Sequence, residues 1–77
     1  MKFNEIIKNL REDKEPKLTQ KAVAEALMTS QRKISRLETG ETEPSIEDLK
    51  RICRFYNVSA DYLLNLPDDL PYPKRQK

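Results

Sequence analysis

Apolar residues recur at helical spacing in five short stretches separated by polar punctuation. Phe3, Ile6, Ile7 and Leu10 form the first stripe and predict a helix from about Phe3 to Asp13, broken by Lys14-Glu15-Pro16-Lys17. Thr19 is a favourable N-cap for a second helix reaching about Leu27, with Ala22, Val23, Ala26 and Leu27 turned inward. Ser30 caps a third, about Gln31 to Leu37, which Thr39-Gly40 ends because glycine accepts the left-handed conformation other residues resist. Pro44-Ser45 opens a fourth helix, where Ser45 and Asp48 stand at capping-box spacing and Leu49, Ile52, Cys53 and Tyr56 make the inward stripe. Asn57 ends it, and Ser59 caps a short fifth helix carrying Tyr62, Leu63 and Leu64.

These elements predict one all-α domain over residues 1–65, a compact five-helix bundle, followed by an irregular proline-containing tail over 66–77. A chain of 77 residues buries about two thirds of its unfolded surface, which disfavours a deep catalytic cleft. There is no histidine and a single cysteine, Cys53, which sits on an apolar stripe where a core role is expected. No nucleophile–base pair or metal-ligand cluster is assembled, so neither enzyme activity nor a cofactor is expected. No apolar run approaches the roughly 20 residues that span a bilayer, and no signal peptide is legible; a cytoplasmic location without membrane association is expected.

The net charge of +2 conceals an uneven distribution. Residues 1–21 carry +2, 22–37 carry +2, 38–49 carry −5 and 50–77 carry +3. A modest positive face beside an acidic one is weak evidence for nucleic acid by itself.

The segment Leu18–Glu38 is more informative. With Ile34 at zero on a wheel of about 100° per residue, Leu37 and Ser30 lie within roughly 60°, so Ile34 and Leu37 mark the buried side. Arg32 and Arg36 fall at about 160° and 200°, directly outward, with Lys33 and Ser35 on the two flanks. Gln31 occupies the first turn, where a recognition helix would enter a groove. An arginine can donate a bidentate pair to guanine O6 and N7, discriminating by about 1–3 kcal/mol. Lys33 and the free N–H groups beginning the second helix suit phosphates, and Lys21 and Ser35 complete the expected phosphate-facing set.

Thr19-Gln20, Ala24, Ile34, Leu37-Glu38, Gly40, Pro44-Ser45, Leu49 and Ser59-x-Asp61-Tyr62-Leu63-Leu64 together resemble the phage repressor and Cro-like (XRE-type) helix-turn-helix family, over about Ile6 to Leu64. The resemblance implies a lambda-repressor-like bundle that binds operator DNA, usually as a two-fold dimer, with the third helix in the major groove. It implies that Gln31, Arg32 and Arg36 read bases, that Gln20 touches a phosphate and braces Gln31, and that small Ala24 lets the motif helices cross. It further implies a partly buried ion pair between Arg11 and Glu38. Dimerisation is expected through Val58, Tyr62, Leu63, Leu64 and Leu66, more apolar surface than so short a helix needs for its own core.

Three features depart from the family pattern. Met28 stands where the turn favours glycine, so the backbone there either avoids the left-handed region or stores strain. The loop before the second helix is about two residues longer than the common version. Glu41 and Glu43 stand where relatives often carry basic residues, and they would repel phosphate if they faced it. The functional expectation is a sequence-specific double-stranded DNA-binding regulator, most simply a repressor. The alternatives are an antitoxin-type regulator that also binds a partner toxin, or a protein-interaction module without DNA binding.

Overall fold

The computed structural model describes residues 1–66 as five α-helices. They are α1 (Phe3–Glu12), α2 (Gln20–Ala26), α3 (Gln31–Thr39), α4 (Ile46–Tyr56) and α5 (Ala60–Leu64). Of the tail expected at 66–77, all but Leu66 lies outside the described residues.

Each start is set by a local hydrogen bond. The Ala22 N–H donates to Thr19 Oγ1 (3.0 Å), Lys33 N–H to Ser30 Oγ (3.1 Å) and Tyr62 N–H to Ser59 Oγ (3.1 Å). At α4 the capping box closes both ways: Asp48 N–H donates to Ser45 Oγ and Ser45 N–H to Asp48 Oδ2, each at 3.0 Å. Aspartate is one methylene shorter than the usual glutamate, yet it spans the gap. Helix ends turn through left-handed residues at Gly40 (φ 83°) and Asn57 (φ 57°). At Gly40 a Cβ would meet only the Asn4 side chain at ordinary contact distance (3.4 Å), so it is the positive φ that favours glycine there.

The core is Ile6, Ile7, Val23, Ala24, Leu27, Ile34, Leu37, Ile52, Tyr56 and Leu63. The close backbone packing of α3 is with α2 and α1, while α5 closes on α1 and α4. Two inward assignments need correction. Ala26 is exposed and Ala22 only half-buried; Val23, Ala24 and Leu27 carry the buried side of α2. Cys53 is half-buried against the core, where burial pushes its thiol pKa up and leaves it a poor nucleophile.

Candidate nucleic-acid interface

The turn joining α2 to α3 is closed by two backbone bonds. Thr29 N–H donates to the Ala24 carbonyl (2.9 Å) and Met28 N–H to that of Glu25 (3.2 Å). This is the Schellman pattern, and it places Met28 at φ 58°. The backbone has therefore kept the turn's left-handed geometry despite lacking glycine. Buried Ala24 lies beneath this turn, and the resulting angle exposes the outer side of α3.

Gln31 and Arg32 are exposed on the first turn of α3, and Arg36 is half-exposed one turn on. Together with Ser35, Gln20 and Glu41 they line one shallow, open surface. The three expected base readers are thus neighbours on one face. Lys21 is exposed at the start of α2.

Behind that face lies a buried polar cluster. Arg11 and Glu38 are only 8% and 6% exposed. Arg11 Nε donates to Glu38 Oε2 (2.7 Å), Nη2 to Oε1 (2.9 Å) and Nη1 to the Leu18 carbonyl (2.9 Å). The hydrogen bond to Glu38 outweighs the opposing effect of burial and holds the Arg11 guanidinium above its ordinary pKa. The arrangement ties α1 and the start of α2 to the end of α3, and no buried side-chain nitrogen or oxygen among the described residues is left without a partner.

Two expected contacts take another form. The Gln20 amide does not brace Gln31; it donates to Glu38 Oε1 (3.0 Å), because that oxygen lies within reach and carries the buried negative charge. Lys33 does not stand free for a phosphate, since its Nζ lies 2.9 Å from Asp48 Oδ2. Burial would raise the Asp48 carboxyl pKa, but bonds from Lys33 and Ser45 hold it below its ordinary value. Arg36 Nε approaches Glu41 Oε1 at 4.0 Å, which places the acidic loop at the edge of the exposed α3 face.

The proposed dimer residues also separate. Leu63 is 0% exposed and belongs wholly to the core, and Val58 is half-buried against it. Tyr62 and Leu66 line one depression with Met1 and Ile6, whereas Leu64 lines another with Phe3, Leu49 and Ile46. Tyr62 and Leu64 diverge by about 200° within α5. Leu66 lies past its end, where the left-handed turn at Asn65 (φ 61°), closed by the Leu66 N–H donating to the Asp61 carbonyl (3.0 Å), brings it to the Tyr62 side. Ile46, 72% exposed, was invisible as a surface residue in the sequence because it opens α4 beside its apolar stripe.

Residues 7–63 match the helix-turn-helix family. The chain belongs to it. Over 65 residues it is 43% identical to the HTH-type transcriptional activator BcrR of Enterococcus faecalis, which covers 84% of this chain but 31% of that protein. The chain therefore spans about a third of that relative's length. Its fold is similar to that of the P22 c2 repressor protein in complex with a synthetic operator (TM-score 0.75, 33% identity, 83% of this chain and 94% of that one). It is also similar to a transcriptional regulator from Listeria innocua (TM-score 0.77, 28% identity, 92% of this chain and 64% of that one). The architecture is the lambda-repressor-like five-helix bundle with a central helix-turn-helix. Among the described residues, no group of His, Cys, Asp and Glu could hold a metal ion, and no helix is long and apolar enough to cross a membrane.

Proposed function

We propose that this helix-turn-helix domain is a sequence-specific double-stranded DNA-binding transcriptional regulator, a binding protein and not an enzyme. The observation that carries the reading is the single exposed face of α3, where Gln31, Arg32 and Arg36 converge on one surface backed by the Arg11–Glu38 cluster. Two outward arginines on a rigid helix suit guanine edges in the major groove. Exposed Lys21 and the flank residue Ser35 suit backbone phosphates. Repression is the simplest outcome, because a protein seated on a promoter obstructs polymerase without any further surface. Two copies on half-sites about 34 Å apart would raise the affinity of so small a reading head.

Selection from a randomised duplex library, followed by competition binding, tests this. We expect a defined motif, and we expect Arg36→Ala to weaken specific binding by about 1–3 kcal/mol while relaxing preference at one position. An unchanged preference profile for that variant would remove Arg36 from the base readers. The approach of Glu41 to Arg36 favours a second reading, a protein-interaction module in which the acidic loop offsets the charge of Arg36. An empty selection with folded protein would support that reading instead.

A further inference from the structure

We propose that Lys33 is a positioning residue for DNA reading that works through Asp48, making the first turn of α4 part of the specificity apparatus. The inference rests on the DNA-binding reading above and extends it to a residue pair on the opposite flank of α3.

The backbone packing of α3 leaves something for side chains to do. Its close approaches are to α1 and α2, whereas those of α4 are to α5. Two polar links join α4 to the motif. One is the Lys33 Nζ–Asp48 Oδ2 pair at 2.9 Å. The other is Arg51 Nη1 donating to the Leu27 carbonyl at 3.3 Å, at the end of α2. Both border the same small space, walled by Leu27, Ile34, Leu37 and Ile52. The reading face formed by Gln31, Arg32, Ser35 and Arg36 is a separate surface.

The pair's chemistry argues against a phosphate role for Lys33. Asp48 Oδ2 already accepts the Ser45 N–H of the α4 cap, so one oxygen serves both the cap and the ammonium. A lysine that left for a phosphate would abandon a carboxylate only 18% exposed, with one of its two partners gone. Lys33 follows directly after Gln31 and Arg32 in the first turn of α3. Tethering it to the first turn of α4 fixes the roll of the segment from which both readers project, and base discrimination depends on that geometry. The Lys33 end of the pair is 39% exposed, so solvent screening keeps its contribution to global stability modest and its effect should appear chiefly in reading.

The test uses the duplex selected by the wild-type protein and compares Lys33→Gln, Asp48→Asn, the double variant and Lys33→Arg. Competition against single-base variants and the salt dependence of affinity are read alongside thermal unfolding. We expect each single variant to lose about fivefold in discrimination at the base pairs read by Gln31 and Arg32. The double variant should be no worse than either single one, Lys33→Arg should retain wild-type discrimination, and the salt slope should not change. The inference is overturned if Lys33→Gln weakens all sequences uniformly and lowers the salt slope by about one unit, the mark of a lost phosphate contact. Tighter binding by Asp48→Asn, or additive single effects, would overturn it too. Should Asp48→Asn unfold, Lys33→Gln alone decides through its slope. A wild-type protein that selects no duplex defeats the DNA-binding reading itself, an outcome distinct from any of these.

Discussion

Met28 shows how one side chain can carry a backbone cost for a turn. Its φ of 58° lies in the region that a Cβ disfavours, yet the two Schellman bonds around it hold the chain there. Its side chain is 78% exposed, so little packing repays the strain. Met28→Gly should therefore stabilise the domain by about 1 kcal/mol, seen as a higher denaturant midpoint at unchanged slope. Tyr56 carries a pH-dependent contribution. Burial first, and the charge of Glu38 second, push its phenol up to about 12 from the ordinary 10.0. A folded-state pKa above the unfolded one favours folding fully below about pH 10, and the advantage is lost as pH rises through about 12. The wild-type protein should thus lose stability over that window faster than Tyr56→Phe, measured by chemical denaturation of both at each pH.

At the scale of helices, the Arg11–Glu38–Gln20 cluster makes α3 a fixed platform. Its bonds join α1, α2 and α3 at a point where apolar side chains alone would allow sliding. The cluster is costly to break because each partner leaves a buried charge behind. Glu38→Gln and Arg11→Met should each destabilise by about 3–5 kcal/mol, a large share of a small domain's total. A double-mutant cycle in denaturant should show strong coupling, the double variant falling well short of the sum. Additive losses would mean that the two charges act independently. Gln20 joins this cluster where the family pattern led to a phosphate contact, since an amide beside a buried carboxylate finds a stronger acceptor there than a neutral neighbour could offer.

For the molecule as a whole, α5 links the core to the outside. Leu63 closes the interior, while Tyr62, Leu64 and Leu66 remain exposed on diverging sides. A two-fold contact would use one of these sides, not the five-residue patch expected from the sequence. We predict two protomers per palindromic duplex at saturating protein in analytical ultracentrifugation, and loss of that second protomer in Tyr62→Glu if the Tyr62–Leu66 side is the contact. A one-to-one complex at saturation would exclude the dimer.

The chain's local grammar was enough to locate all five helices, because caps, left-handed stops and apolar periodicity depend on residues within one or two turns. Thr19, Ser30, Ser45 and Ser59 act as the caps their positions announce, and Gly40 and Asn57 as the stops. The same periodicity oriented α3, since Ile34 and Leu37 leave the arginines only one direction to point. Which charge meets which was a different matter. Lys33 and Asp48, or Gln20 and Glu38, belong to separate helices, and a flank position on a wheel is equally ready for solvent, phosphate or a carboxylate. Likewise, nothing local to Leu63 distinguishes it from Leu64; only the packing of α5 on α1 and α4 buries one and exposes the other. Short-range hydrogen bonding wrote the elements, and long-range packing chose the partners of their polar and apolar flanks.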